Sequence, residues 1–224
     1  MRVPVVNYGL LALTGAAFLF QASLGQQAAG LVDQLAFVPA DLHAAWAQQD
    51  GDALLLCLQA ALASMVLHAG WFHIIGNLLY LRAFGDNVED RFGHALYLGF
   101  YVLAGLAGTF GQYVADPQST VPLIGASGAI AGVLGAYIVL FPAARVVTLF
   151  PIFIFLTFIE VPAFVFLGIW ALQQLLNGYL TIADGLQAEG GVAWFAHLGG
   201  FAFGLGVGVA VRVTRSVRRR RRKS

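Results

Sequence analysis

A chain of 224 residues in which 59% are hydrophobic and only 10% charged departs from soluble globular domains, which carry about 25% charged residues. The composition is that of a membrane protein; the net charge of +1 says less than the placement of charge along the chain. The one cysteine, Cys57, excludes an internal disulfide and a Cys-rich metal site.

In chain order, the apolar stretch 5–24 follows Met1-Arg2. Its length of about 20 residues exceeds the 7–15 of a signal-peptide core and suits a full crossing, so it is read as an uncleaved first span. Residues 53–67 are also apolar, but Gln59 and Ser64 favour a hairpin lying in the interface. A second span covers 72–84, with His68, His73 and Asn77 near its outer end. Asp86, Glu89, Asp90 and Arg91 then form a solvated turn in which Glu89 can brace a helix end. The third span is 95–114, the fourth 127–141, the fifth 161–180 and the sixth 192–211. Phe164, Phe166 and Trp170 in the fifth read as lipid-facing packing, and Glu160 as a structural partner of Arg145. Residues 1–211 thus form one all-α, polytopic membrane domain, a bundle of six transmembrane helices, and 212–224 a basic tail.

Six spans put both termini on one side. All twelve Lys and Arg then lie at the N-terminus (Arg2), near inner span ends (Arg82, Arg91, Arg145) or in the tail, and none in the opposite segments 25–71, 115–126 and 181–191. By the positive-inside rule both termini are cytoplasmic. The run Arg218-Arg219-Arg220-Arg221-Arg222-Lys223 directly after a span reads as a topology anchor touching anionic lipid rather than as a nucleic-acid site.

The fourth span has fifteen residues, about 22 Å of helix against a hydrocarbon core of about 30 Å. The irregular loop before it must dip into the membrane, which is tolerated only where backbone is buried in protein or lines a wet cavity. Gly125-Ala126-Ser127-Gly128 sits at that depth. Gly125 and Gly128 permit a tight turn, and free N–H groups at a helix start, aided by the helix dipole, can hold an oxyanion. His197 lies about 8 Å into the sixth span by helical rise, a matching depth. Small residues at Gly200, Gly204 and Gly208 and at Gly128, Gly132 and Gly135 let the two helices approach closely, which brings His197 within reach of the Ser127 hydroxyl. His73 and Asn77, four apart, share a helix face and can aim donors at the same cavity. Asn in the place of a second His, no nearby Cys or Glu and no His-Glu-x-x-His argue against metal; no metal and no cofactor is expected. His43 and His94 have no chemical company. The two halves do not mirror one another, which argues against a small transporter.

Taken together, Gly-Ala-Ser127-Gly, His73-x-x-x-Asn77 and Ala196-His197-Leu-Gly-Gly200-x-x-x-Gly204, in that order on the second, fourth and sixth spans, resemble the rhomboid family of intramembrane serine proteases. The resemblance runs from about residue 72 to 204. It implies Ser127 as nucleophile, His197 as general base, and His73, Asn77 and the backbone N–H groups near Ala126 and Ser127 as oxyanion stabilisers. It also implies transmembrane proteins as substrates, entering laterally near the fifth span, and a bacterial inner-membrane location. The alternative is a catalytically inactive rhomboid-like protein that binds membrane proteins as a chaperone. Two positions depart from the pattern of many members: Trp46 is followed by Ala47 rather than Arg, and Ala131 stands where an aromatic ring often supports the histidine.

Overall fold

The computed structural model of the chain describes residues 3–152, 155–183 and 192–221, with side chains from 150 to 156 and beyond 214 left aside. Most of the outer segment 181–191, the N-terminal Met1-Arg2 and the tail residues Arg222 and Lys223 therefore lie outside the described residues. Helix α1 (Val5–Ser23) leads through a single 3-10 turn into three short helices, α2 (Ala28–Leu35), α3 (Pro39–Ala47) and α4 (Gly51–Ser64). Then come α5 (Trp71–Phe92), α6 (His94–Ala115), α7 (Ser127–Leu140), a hairpin of β1 (Arg145–Ile152) and β2 (Phe155–Pro162), α8 (Ala163–Ala183) and α9 (Trp194–Arg221). Six helices, α1 and α5 to α9, coincide with the six expected spans. Four of them (α1, α6, α8 and α9) are long and apolar enough to cross a membrane by length and composition; α5 carries charge in its inner turns and α7 is short.

Helix α7 is the axis of the fold. Its fourteen residues give about 21 Å of helix, and every residue from Gly128 to Tyr137 is buried against α5, α6, α8 and α9. A helix enclosed by protein need not match the bilayer, which is how a short span is accommodated. Its partners close in through small residues. A Cβ built at Gly200 would collide with the carbonyl oxygen of Gly128, and one at Gly204 with that of Gly132. On the α6 side, a Cβ at Gly108 would lie 2.7 Å from the Ala196 carbonyl oxygen. Backbones that meet with no side chain between them gain dispersion contacts that lipid cannot supply.

The packing around the start of α1 corrects the reading of Asp86, Glu89, Asp90 and Arg91 as a solvated turn. These residues continue α5, and Glu89 is 1% exposed. Helix α1 begins after Pro4, without a side-chain cap of its own. The Glu89 carboxylate supplies one from α5, accepting the N–H groups of Val6 at 3.0 Å and Asn7 at 2.7 Å. A negative group at a helix N-terminus satisfies orphan donors and complements the dipole, so the bracing role holds although the exposure does not. His94 has company after all, its Nδ1 lying 2.6 Å from Glu89. Asn7, fully buried, donates to Asp86 at 2.6 Å and accepts from Tyr97 at 2.8 Å. Gly93, with φ of 82°, forms the one-residue turn between α5 and α6, a left-handed backbone that glycine adopts without strain.

Three other expectations change. Residues 53–67 contain α4, an ordinary helix capped by Asp50, which accepts from Asp52 N at 3.0 Å and Ala53 N at 3.1 Å. The stretch between the fourth and fifth spans is an antiparallel hairpin in which Arg145 pairs with Pro162 and Val147 with Glu160, and the fifth span starts at Ala163. Arg145 and Glu160 do meet, at 3.3 Å on the exposed surface of that hairpin. Of Phe164, Phe166 and Trp170 only Phe164 is exposed. Phe166 stacks on Phe84, and Trp170 packs on Phe201.

Candidate active site

The loop before α7 is irregular and lies against the short helices of the first outer segment. Phe37 and Leu123 form an isolated antiparallel bridge, with Leu123 N donating to Phe37 O at 2.7 Å. Ala40 N donates to Ser119 O at 3.0 Å, and Gly125 N to Ser64 O at 2.8 Å. Each bond occupies a backbone group that hydrocarbon would leave unsatisfied. The first outer segment thus anchors this loop through backbone pairing and the buried Phe37 ring, while Trp46 is 70% exposed.

Gly125 then turns the chain with φ of +121°, a conformation that a side chain would strain. A Cβ built there would lie 2.8 Å from His73 Nε2 and 3.6 Å from Ser127 Oγ, so both functional groups border one point. Helix α7 starts at Ser127 with Ala126 as its cap residue and no side-chain cap. The first-turn N–H groups therefore carry no capping partner and converge on the space beside Ser127. A narrow cavity lined by Ser64, Thr109, Gly125 and Ser127, among others, reaches the same place.

His73 and Asn77 stand in the first turns of α5. The Nδ1 of His73 takes a backbone N–H from Ala69 at 3.4 Å. A ring nitrogen that accepts is unprotonated, so the His73 proton resides on Nε2, the atom facing Gly125. Asn77 is buried and donates one amide hydrogen to His73 O at 3.0 Å, within its own helix. His68 is fully buried beside His73 at 5.0 Å between ring centroids, and its backbone is clamped by Gln21, which donates to His68 O at 2.7 Å and accepts from His68 N at 3.1 Å.

His197 is set one turn before the Gly200 contact with Gly128, which places it beside the first turn of α7. Its Nδ1 is 2.7 Å from Gln174 Oε1 on α8. Trp170 and Trp194 flank the ring at centroid distances of 5.9 and 6.4 Å. Among the described residues no hydrogen bond joins Ser127 Oγ to His197, and no group of three or more His, Cys, Asp or Glu could hold a metal.

The Rhomboid domain family matches residues 58–213, which include His73, Asn77, Ser127, Gln174 and His197. The chain belongs to the rhomboid family. It is 37% identical over 70 residues to RHOMBOID-like protein 5 of Arabidopsis thaliana, 31% of this chain and 23% of that protein. It is 38% identical over 74 residues to the putative rhomboid protease YdcA of Bacillus subtilis, 33% and 37% of the two chains. Against the rhomboid protease GluP of the same organism it is 41% identical over 75 residues, 34% of this chain and 14% of that one. The matched stretches thus cover well under half of these curated relatives. Within this rhomboid domain, Gln174 and Trp170 are the site neighbours that sequence reasoning missed. A glutamine in an apolar span is a detectable signal, because a polar side chain in hydrocarbon calls for a partner, but its partner is set by packing.

Proposed function

We propose that this rhomboid protein is an intramembrane serine endopeptidase that hydrolyses peptide bonds in or near transmembrane segments of membrane proteins. The observation that supports it most is the junction of Ser127, at an uncapped helix start, with His197 in the adjoining turn of α9, its Nδ1 already engaged. His197 Nε2 takes the Ser127 proton as Oγ attacks the scissile carbonyl, then returns it to the leaving amine; water completes hydrolysis of the acyl-enzyme. Bonds between a nucleophile and its general base commonly tighten only with substrate in place. His73 Nε2–H, Asn77 and the N–H groups near Ala126 and Ser127 stabilise the tetrahedral oxyanion, the kind of term that is worth about 10²–10³ in turnover per donor. Gly128, Gly200 and Gly204 keep the two catalytic helices in backbone contact, and Gly125 turns the chain beside His73. No cofactor takes part.

The domain spans residues 1–211 in a bacterial inner membrane with both termini cytoplasmic, and the basic segment from 212 contacts anionic lipid. Arg82 and Arg91 in the C-terminal half of α5, Arg145 at the start of β1 and Arg212 in the C-terminal half of α9 support this orientation.

Purified protein in proteoliposomes with a model single-span substrate tests the assignment. Ser127→Ala and His197→Ala each abolish cleavage, and the double variant is no worse than either, because residues of one catalytic unit are not additive. Turnover retained by Ser127→Ala would falsify the nucleophile. A wild-type protein that binds the substrate but neither cleaves it nor reacts with a fluorophosphonate would instead be the inactive, chaperone-like member of the family.

A further inference from the structure

We infer that Gln174 is the third member of the catalytic unit, a positioning residue on α8 that locks His197 in the tautomer able to accept the Ser127 proton. The inference rests on the protease reading above and goes beyond it by naming what orients the histidine where Ala131 offers no ring.

The argument is one of donors and acceptors. Gln174 is 4% exposed, so its amide has protein partners or none. Its Nε2 lies 3.3 Å from the carbonyl oxygen of Trp170, one turn earlier in α8. A carbonyl can only accept, so the amide nitrogen must face it, and the reverse amide orientation would set two oxygens against each other. That leaves Oε1, which can only accept, 2.7 Å from His197 Nδ1. His197 must then carry its proton on Nδ1, and Nε2 is left bare. A backbone carbonyl thus dictates the tautomer of the histidine through one glutamine. The logic is that of the carboxylate in a Ser-His-Asp triad, which holds the imidazole in tautomer and orientation, but it is carried by a neutral group. Neutrality suits the place: a carboxylate at this depth would have to be desolvated as a charge, whereas an amide needs only its hydrogen bonds.

The surroundings hold Gln174 still. Trp170 and Trp194 flank the imidazole, and Gly178, one turn after Gln174, leaves room for the Phe195 ring, which would lie 3.1 Å from a Cβ at that position. Helix α8 therefore meets α9 on both sides of the Gln174–His197 bond. The alternative is that Gln174 is a buried amide that merely ties two helices together, with no bearing on proton transfer.

The test uses the full-length protein labelled with [¹⁵N]histidine in micelles. Bare and protonated imidazole nitrogens resonate far apart, and the His197 signals are those lost in His197→Ala. The wild-type spectrum shows a protonated Nδ1 and a bare Nε2. Gln174→Leu loses that preference, and kcat falls about 10²-fold, the usual size of a general-base contribution, with KM unchanged. Gln174→Met, matched in length and with only a weak thioether acceptor, repeats the result if the leucine variant folds poorly. Gln174→Glu, which restores an acceptor, recovers most of kcat. An unaltered tautomer in Gln174→Leu or Gln174→Met overturns the inference, as does an equal loss of kcat in the glutamate and leucine variants. If the wild type proves inactive, the protease reading fails while the tautomer result still decides the role of Gln174.

Discussion

His68 shows how much a single side chain depends on what covers it. It stands outside the spans, in the turn before α5, yet it is fully buried beneath Phe18 and beside His73. Nδ1 faces the Val66 carbonyl at 3.3 Å, and Nε2 is buried with no hydrogen-bond partner. Burial, with a smaller contribution from His73, pushes its pKa down from 6.5 to about 4. Unfolded chains accept a proton near pH 6.5 that the folded protein refuses until about pH 4, so the folded state loses stability as pH falls through that window. The thermal midpoint of the wild type in micelles should therefore drop between pH 7 and pH 4.5 by more than that of His68→Phe, which has no proton to take up. Parallel curves for the two proteins would show that another group carries the acid sensitivity. How deeply His68 is buried follows from α1 packing on it, with Phe18 on its ring and Gln21 on its backbone.

At the scale of elements, the seam between α7 and α9 is a backbone contact, and its glycines are not equivalent. Gly204 abuts Gly132, whereas nothing lies within 4 Å of a Cβ built at Gly206. Gly204→Ala should lower stability by about 1–3 kcal/mol, the usual range for overpacking, and reduce cleavage by parting the helices that carry Ser127 and His197. Gly206→Ala should change stability by about 0.5 kcal/mol or less. Thermal unfolding of the two variants in the same detergent checks the pair, and equal midpoints would mean that the helices can slide apart freely. The stripes at Gly128, Gly132, Gly200 and Gly204 were legible because spacing of four marks one helix face. The Glu89 cap on α1 was legible only as a tendency, since sequence shows an acid near a helix end but not which of several helix ends lies nearest.

For the whole molecule, the outer surface is apolar around its girth, with Phe72, Leu96 and Phe158 among its most exposed side chains, as lipid contact requires. Orientation can be read with thiols in a Cys57→Ala background, Cys57 being buried. In sealed cells a membrane-impermeant maleimide should modify Gln48→Cys, on the outer segment, and more slowly Ser127→Cys, through the cavity beside it. Glu160→Cys, on the exposed inner hairpin, should react only after the membrane is permeabilised. Modification of Glu160→Cys in sealed cells would invert the topology. Failure of Ser127→Cys alone would mean that water reaches the site only once substrate has opened it.

The amino-acid sequence by itself determined the membrane class, the all-helical bundle and the short fourth span with its serine, because hydropathy and helical rise are properties of local sequence. It also brought Ser127, His197, His73 and Asn77 into one reading, since polar groups in apolar helices are few. The tertiary structure alone decided which neighbours these residues have. The β-hairpin between α7 and α8 is held by hydrogen bonds between its strands, a pairing that hydropathy does not encode. The inward turn of Trp170 and Phe166, and the meeting of Gln174 with His197 across 23 residues, depend on how α8 rotates against α9. That rotation is set by close packing of whole helix faces, which hydrophobic periodicity does not encode when nearly every face is apolar.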